Sequence, residues 1–333
     1  MGAKPHAEAI RLRLEELEAE SWLGPERSSW PRYLYHVTDV QNAASILASG
    51  RLLSRKRASD FQEMRNDNAS QSVISATDDT VHDYVRLYFR PKTPTFFHNE
   101  GIRRISDRTM DCHCPIPVVL LFDSYEILSR SDSKFSRGNL ASDNTLYQSA
   151  ADFAQLPFPL IYHNRAIYQD EDKQAIIFHR HAEVVVPNEL PLDSLRIVAT
   201  RSSAELTTLR TLLLTRYSSQ RTIWRQGLSK TNVAPEFFYC RWSFIENVQR
   251  DGDSIFVSFN ADTESPGPYD VRLQWKNTKS TATSIAKLTA DRSYQVRIPD
   301  GFKQGSFTLE IRLDDSLAFV GPMALIRPTL FHG

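Results

Sequence analysis

The chain has 333 residues, of which 41% are hydrophobic and 24% are charged, enough apolar material for a core and too much for wholesale disorder. Forty Lys and Arg balance forty Asp and Glu, so the net charge is zero, which excludes a globally basic coat protein for nucleic acid but not a local basic groove. Three scattered cysteines fit a reducing compartment. Without a signal peptide or an apolar run of about 20 residues, we expect a cytoplasmic protein with no membrane segment.

The N-terminal part of the chain predicts a helix, a strand and a second helix in succession. Apolar residues among Glu and Arg over residues 6–20 indicate a short charged helix at the surface. Residues 33–37 are rich in β-forming side chains and predict a strand. Thr38 and Asp39 offer an N-cap for the next helix, which Gly50 ends.

The middle of the chain predicts a long loop, a set of buried strands and one further helix. The polar stretch 51–83 has weak periodicity and is typical of a functional loop. Ser202 and Glu205 form a capping-box pattern at the start of a leucine-rich helix. Apolar runs predict strands at 84–89, 117–122, 182–186 and 195–198.

The last third of the chain has a different character. Residues 221–235 are polar and are interpreted as a linker. Beyond them, short runs alternate between apolar and polar residues and are separated by turn clusters. This spacing predicts a small antiparallel sandwich without a cysteine pair. The runs are 254–259, 269–275, 294–298 and 306–313.

Common site motifs are absent from the sequence. There is no GxGxxG, GxxxxGK[ST] or GxSxG pattern, which disfavours dinucleotide-binding, P-loop and nucleophile-elbow folds. Cys112-His113-Cys114 is compact, but adjacent residues do not easily supply three tetrahedral ligands and no second CxxC lies near. We therefore expect no metal site.

Several polar side chains interrupt strands that otherwise look buried. His36 lies near the end of the first strand, and Arg86 and Arg90 interrupt an aromatic strand. Glu183 stands in an Ala-Glu-Val-Val-Val run, where a carboxylate is costly unless it is paired or used chemically. The residues alone leave two interpretations open: a strand glutamate that faces solvent or pairs with an arginine, and a functional carboxylate.

Four ordered blocks between residues 33 and 200 resemble the DarT toxins, ADP-ribosyltransferases that modify bases in single-stranded DNA. The resemblance implies an α+β fold: an ADP-ribosyltransferase-like split β-sheet core with flanking helices, here followed by a C-terminal all-β sandwich-like domain. The expected division is an N-terminal helical segment, a transferase domain, a linker and the sandwich, over residues 1–30, 31–217, 218–235 and 236–333. The blocks are Tyr35-His36-Val37-Thr38 with Gly50-Arg51-Leu52-Leu53, Tyr84-Val85-Arg86-Leu87-Tyr88-Phe89 with Pro91, Phe135-Ser136-Arg137-Gly138-Asn139, and Arg180-His181-Ala182-Glu183.

The resemblance also implies roles for individual residues. Glu183 would be the catalytic acid/base, and Arg65, in the loop between the first two blocks, the catalytic arginine. Neither Arg65 nor Arg57 falls in a matching motif, so Arg86 or Arg90 is the alternative partner of the NAD diphosphate. The residues implied to bind NAD are Tyr35, His36, Val37, Thr38, Tyr88, Phe89 and Arg90. Those implied to meet the nucleic acid are Lys92, Asn139 and Arg180.

The function implied by the resemblance is transfer of ADP-ribose from NAD, without a metal, to a base of single-stranded DNA. The setting would be a toxin–antitoxin or phage-defence system, and the antitoxin commonly a hydrolase that removes the ADP-ribose. Two alternatives remain open at this point: modification of RNA bases, and a non-catalytic scaffold that binds NAD or nucleic acid. The target base is not fixed, because relatives differ between thymine and guanine.

Overall fold

The computed structural model describes residues 2–61, 79–108, 113–290 and 293–324. Helices and strands are mixed along the chain, which confirms the predicted α+β class. The helices are α1 (Ala7–Glu18), α2 (Gly24–Arg27), α3 (Val40–Ser49), α4 (Arg55–Asp60), α5 (Pro94–Asn99), α6 (Ser124–Leu128), α7 (Ala150–Ala154), α8 (Phe158–Ile161), α9 (Lys173–His179), α10 (Ser203–Arg216) and α11 (Arg221–Ser229).

The strands build two larger sheets, one smaller sheet and one two-stranded ribbon. They are β1 (Tyr33–Asp39), β2 (Arg51–Leu53), β3 (Tyr84–Tyr88), β4 (Pro117–Asp123), β5 (Lys134–Phe135), β6 (Glu183–Pro187), β7 (Glu189–Pro191), β8 (Leu195–Thr200), β9 (Thr231–Val233), β10 (Ile245–Asp251), β11 (Ser254–Phe259), β12 (Tyr269–Lys276), β13 (Thr281–Leu288), β14 (Tyr294–Arg297), β15 (Phe307–Leu313) and β16 (Ser316–Met323).

The central sheet has seven strands in the order β5-β6-β3-β1-β4-β8-β9, all antiparallel except β8 and β9. One face is covered by α1, α3 and α10, whose apolar residues join those of the strands in the main core. Alternation along β3 follows from this arrangement: Val85 and Leu87 are buried in that core, whereas Arg86 and Tyr88 point to the opposite, partly exposed face.

The pairing of β1 with its two neighbours is unequal. β1 pairs with β4 at seven positions, from Tyr33 to Asp39. With β3 it pairs at a single position, Tyr35 opposite Tyr88. The central sheet is therefore weakly joined between β1 and β3, which agrees with the expected split of the sheet core.

The local signals of the first helix–strand–helix unit are confirmed. The Asp39 carboxylate accepts a hydrogen bond from the Gln41 amide at 2.9 Å and caps α3. Gly50 ends α3 with φ 74°, a left-handed conformation that glycine adopts at low cost. The Ser202 hydroxyl likewise accepts from the Glu205 amide at the start of α10.

Residues 221–235, which were predicted to be a linker, form a helix and a strand instead. Residues 221–235 contain α11 and β9, and β9 pairs in parallel with β8, opposite Val198, Ala199 and Thr200. α11 is polar because it buries few side chains; among them, Trp224 is 2% exposed and belongs to the main core. This segment therefore completes the central sheet.

The C-terminal region is built from two antiparallel sheets, β10-β11-β14 and β13-β12-β15-β16. Their inner faces share one apolar core, in which Ile255 and Val257 of the first sheet meet Leu273, Trp275 and Leu309 of the second. The predicted antiparallel sandwich is thus confirmed.

Buried polar contacts anchor the segment that leads from the central sheet into the sandwich. The Arg201 guanidinium, with no exposed side-chain surface, pairs with both Glu100 and Glu205. The Glu100 carboxylate also accepts hydrogen bonds from the amides of Tyr239, at 2.8 Å, and Cys240, at 3.0 Å. We call these residues the Arg201 cluster. Within the described residues, no helix has the length and apolarity needed to cross a membrane.

Candidate active site

Glu183 begins β6 and lies opposite Tyr88, the last residue of β3. Its side chain is 1% exposed. Both carboxylate oxygens meet one guanidinium: Arg86 donates from Nε to Oε2 and from Nη2 to Oε1, each at 2.5 Å. Arg86 and Glu183 lie diagonally across the strand pair, and this register lets a long side chain reach the carboxylate in a bidentate geometry.

Ser136 fixes the backbone of Glu183. The Ser136 amide donates to the Glu183 carbonyl at 2.8 Å, and the Ser136 hydroxyl accepts from the Glu183 amide at 3.0 Å. The same hydroxyl donates to the Gly138 carbonyl at 2.7 Å. The loop that follows β5 is therefore hydrogen-bonded to both the amide and the carbonyl of Glu183, the first residue of β6.

His36 closes the gap between β1 and β3. Its Nδ1 lies 3.1 Å from the carbonyl oxygen of Arg86, so a side chain connects the strands just beyond their single pairing position. Burial lowers the pKa of His36, and the hydrogen bond to the Arg86 carbonyl opposes this. The resulting neutral imidazole, Arg86 and Glu183 form a continuous chain of contacts across three strands.

The charges of the site depend on one another. Burial by itself would lower the pKa of Arg86, but the Glu183 carboxylate outweighs it and holds the pKa above its ordinary value. Burial, with the Glu183 charge, raises the pKa of Tyr88 to about 12. At neutral pH the Arg86 guanidinium is therefore charged and the Tyr88 phenol is neutral.

This arrangement suits a reaction that develops positive charge beside a carboxylate. Glu183 is held in place by Arg86 and Ser136, and Arg86 itself is 30% exposed, so a substrate can approach the pair from the solvent side. Tyr88 and His36 are half-buried beside it and offer a hydroxyl and an imidazole. A preorganised carboxylate of this kind stabilises a cationic transition state and accepts a proton.

Residues 35–239 match the family model of DarT, described as an ssDNA thymidine ADP-ribosyltransferase. The chain belongs to the DarT family. The match covers His36, Arg86, Ser136 and Glu183, so the whole contact chain lies inside it. Membership confirms the predicted enzyme class, with NAD as co-substrate and single-stranded DNA as acceptor.

Solved DarT structures also resemble the chain. Thermus sp. 2.9 DarT in complex with carba-NAD+ is 16% identical, with a TM-score of 0.47, over 63% of this chain and 98% of that one. The same protein in complex with ADP-ribosylated ssDNA is 17% identical, with a TM-score of 0.48, over 63% and 97%. Thermosipho africanus DarTG in complex with ADP-ribose is 16% identical, with a TM-score of 0.42, over 66% and 53%. No curated protein matches the chain.

Tyr35 and Phe89, two of the residues expected to bind NAD, lie in the interior of the fold rather than at an open surface. Tyr35 has no exposed surface and its ring packs against Phe237. Phe89 contacts Phe153 and Phe158 in the main core. Direct contact of these two side chains with NAD is therefore not favoured, because other aromatic rings already pack against them.

Arg90 is also interior and has a structural role. It is 1% exposed, lies over the Trp30 ring and donates to the carbonyls of Ile161 and His163. Reaching the NAD diphosphate would break these contacts. These contacts therefore argue against the alternative that Arg90 binds the NAD diphosphate.

The remaining NAD-binding predictions fall on β1 and β3. Tyr88 and Val37 are partly exposed on the site face, whereas Thr38 is 5% exposed and pairs with Val118. Arg65 lies outside the described residues. Arg57, the other arginine considered there, lies in α4 and pairs with Glu189 at 2.8 Å.

The residues expected to meet nucleic acid lie around the site without contacting Glu183. Asn139 follows Gly138, and its side chain accepts from the Ala141 amide at 3.1 Å. Arg180 follows α9 and donates to the Arg165 carbonyl at 2.8 Å. The Lys92 ammonium lies 5.9 Å from the centre of the Tyr239 ring. Arg180 thus points toward the loop 161–165.

Two functional contacts were not predicted from the sequence. Arg86 was considered for the diphosphate, and its pairing with Glu183 becomes visible only with the register of β3 and β6. Ser136 stood in the third block without a role. The available signal was a polar residue two positions before a glycine, for Ser136, or inside an apolar strand, for Arg86, and neither pattern identifies a partner.

Cys112 lies outside the described residues, and Cys114 is 1% exposed. Across the parts of the chain that the structure describes, no three His, Cys, Asp or Glu side chains come together to hold a metal ion.

Proposed function

We propose that this DarT-family chain transfers ADP-ribose from NAD to thymidine bases of single-stranded DNA, with Glu183 as the catalytic carboxylate. One observation carries the residue assignment: a glutamate with 1% exposed side chain, bound at both oxygens by a partly exposed arginine, at the start of a strand in the matched range. Pairing with Arg86 offsets the cost of burying the carboxylate, and the 30% exposure of the Arg86 side chain leaves a substrate a way to reach the pair.

The chemistry assigns each proton and electron pair. The bond between the nicotinamide nitrogen and ribose C1′ breaks, and its electron pair leaves with nicotinamide. A ring nitrogen of the base then bonds to C1′, and its proton passes to the Glu183 carboxylate. The same carboxylate offsets the positive charge on C1′ before the new bond forms. Base nitrogens are accessible only in an unpaired or flipped nucleotide, which favours a single-stranded substrate.

In this proposal, the partly exposed residues around Glu183 bind NAD. Val37, Tyr88 and the imidazole of His36 line the split between β1 and β3, where the sheet is joined by one backbone pairing position. Arg86 remains the partner of Glu183. The role of Arg65 on the diphosphate stays a proposal that rests on the resemblance.

We further propose that the chain is the toxin of a toxin–antitoxin or phage-defence system. This rests on family membership alone, and the partner would be an antitoxin that neutralises it, such as an ADP-ribose hydrolase. The proposed division between a transferase domain and a C-terminal sandwich is supported by two largely distinct apolar cores, whereas the N-terminal helical segment (1–30) shares the core of the central sheet. The boundary between them falls after β9, and the sandwich is proposed to dock a partner.

The test compares purified wild-type chain, Glu183→Gln and Glu189→Gln. Each is incubated with NAD and mixed-sequence single-stranded DNA, and in parallel with RNA of the same sequence. Mass spectrometry measures the added ADP-ribose. We expect DNA modification by the wild type and a loss of 10²-fold or more in Glu183→Gln, about the contribution of a general acid or base.

Glu189 is the matched control, because it is a nearby carboxylate paired with arginines but outside the proposed site. Glu189→Gln should retain wild-type activity. Full activity of a folded Glu183→Gln would remove the assignment of the residue. Modification of RNA alone would replace the proposed substrate.

A further inference from the structure

Three arginines converge on the loop 161–165, close to the proposed site. Arg27, which precedes the family-matched range, donates to the Tyr162 carbonyl at 2.7 Å. Arg90 donates to the Ile161 and His163 carbonyls and, at 2.8 Å, to the Asn164 side chain. Arg180 donates to the Arg165 carbonyl at 2.8 Å and contacts the His163 ring.

The acceptors of these arginines are neutral. Within the described residues, Arg27, Arg90 and Arg180 make no ion pair with a carboxylate. Glu171 lies 3.7 Å from His163 and is bound by Arg165 at 2.6 Å. The cluster therefore concentrates positive charge that no directly paired carboxylate neutralises within the described residues.

Unused donors and mutual repulsion support this view. The Nε atoms of Arg90 and Arg180 are buried and have no hydrogen-bond partner within the described part of the chain. Burial lowers the pKa of Arg90 to about 9; Tyr239 opposes this, and the charges of Arg180 and Arg27 add to it. Burial also lowers the pKa of Arg180, against the opposing effects of Tyr239 and Glu171. A guanidinium in such surroundings is stabilised by an added anion.

Lys92 extends the cluster toward solvent. Its ammonium is half-buried beside the Tyr239 ring, and burial lowers its pKa although Cys240, Glu100 and Glu26 oppose the shift. We call Arg27, Arg90, Lys92 and Arg180 the cationic cluster. Arg180 and Lys92 are its partly exposed members, and buried Arg90 contributes charge from beneath.

We propose that the cationic cluster is a phosphate-binding site, and that its ligand is a backbone phosphodiester of the single-stranded DNA substrate. Arg180 is three residues before Glu183, a separation of at most about 10 Å along the chain. A strand whose base lies at Glu183 has a backbone phosphate within that distance. Contacts of this kind fix the position of the strand without reading its sequence.

The proposal rests on the proposed function for the identity of the strand, but its test measures binding alone. Fluorescence anisotropy of a labelled single-stranded oligothymidine is recorded without NAD over a range of NaCl concentrations. The proteins are wild type, Arg180→Gln, Lys92→Gln and the control Arg196→Gln. Arg196 is also about one-third exposed, but it pairs with Asp123 and Glu126.

We expect Arg180→Gln and Lys92→Gln each to weaken DNA binding several-fold, and to reduce the slope of log Kd against log salt by about 0.7, the value for one phosphate contact on a single strand. Arg196→Gln should leave the slope unchanged. NAD affinity, measured by calorimetry on the same proteins, should not change. If Arg180→Gln melts at a lower temperature than the wild type, the DNA binding of Lys92→Gln tests the proposal instead. Within the described residues, the Lys92 side chain makes no contact with the loop 161–165 that its loss could disturb.

Unchanged DNA affinity and slope in folded Arg180→Gln and Lys92→Gln would overturn the proposal. Weaker NAD binding with unchanged DNA binding would overturn it in favour of a site for the NAD diphosphate. If the wild type binds DNA with the predicted dependence but modifies none, the phosphate site stands and the proposed function fails, so the two failures are distinguishable.

Discussion

At the scale of single residues, the environment of Glu183 sets what the site can do. A carboxylate with 1% exposed side chain loses its hydration, which costs several kcal/mol unless a counter-charge compensates. The bidentate contact with Arg86 supplies that charge and also fixes the plane of the carboxylate.

The first prediction concerns the activity of Arg86→Gln. The guanidinium binds both carboxylate oxygens of Glu183, so removing it leaves the carboxylate without the partner that fixes its plane. A misplaced catalytic group lowers the rate of the chemical step more than the affinity for the co-substrate. We expect kcat to fall by about 10-fold or more with the KM for NAD unchanged, measured from initial rates.

The double variant Arg86→Gln with Glu183→Gln serves as the control for folding. Replacing both charges leaves a neutral pair, so its free energy of unfolding should exceed that of Arg86→Gln alone. An unchanged kcat in Arg86→Gln, together with a raised KM for NAD, would instead assign Arg86 to the co-substrate.

The residue types of the site could be predicted, but their partners could not. Glu183 is recognisable because a carboxylate inside an apolar strand is unusual. Its pairing with Arg86 requires the register of two strands nearly 100 residues apart in sequence, and no local pattern contains that information. The burial of Phe89 and Arg90 was missed for a related reason: both follow β3 directly, where the alternation of the strand no longer determines which side is exposed.

At the scale of elements, the loop after β5 positions the start of β6. Ser136 binds both backbone groups of Glu183, and Gly138 is packed so tightly that a Cβ at this position would overlap the ring of Phe178 near the end of α9. The glycine is therefore needed for close approach of loop and helix.

The second prediction is that Gly138→Ala destabilises this loop. The added methyl must displace Phe178, and overpacking of this kind costs about 1–3 kcal/mol in the free energy of unfolding. We expect a loss of that size in urea denaturation and a fall in kcat, because Glu183 moves with Ser136. Gly301, beside which a Cβ would meet open space, is the matched control. Equal stability of both alanine variants would contradict the packing argument.

Elements with strong local signals were predicted well, and elements that depend on tertiary pairing were not. The capped helix α3 and the apolar strands β4 and β6 are confirmed because their sequences determine both pattern and ends. β9 was missed because three residues, Thr231, Asn232 and Val233, carry no strand pattern of their own. They form a strand because the exposed edge of β8 supplies hydrogen bonds in parallel.

At the scale of the whole molecule, the Arg201 cluster joins segments that are far apart in sequence. Arg201 directly follows β8, and its partner Glu205 lies in α10. Its other partner, Glu100, accepts hydrogen bonds from the amides of Tyr239 and Cys240, just before the sandwich. A buried cation with two carboxylates is held firmly only when every group has a partner.

The third prediction is that Glu100→Gln weakens the attachment of the segment that leads from the central sheet into the sandwich. Loss of one charge from a buried cluster leaves Arg201 partly uncompensated and should cost about 3 kcal/mol. Glu310→Gln removes a partly exposed partner of Arg312 and should cost less than about 1 kcal/mol. Differential scanning calorimetry measures both, and similar melting temperatures for the two variants would contradict the role of the cluster.

The added strand β9 has a consequence for grafting this enzyme onto other C-terminal modules. Since β9 belongs to the catalytic sheet and Tyr239 and Cys240 are anchored by Glu100, a splice at residue 217 would strip an edge from that sheet. A chimaera exchanged after Cys240 keeps the sheet whole and replaces only the appended module.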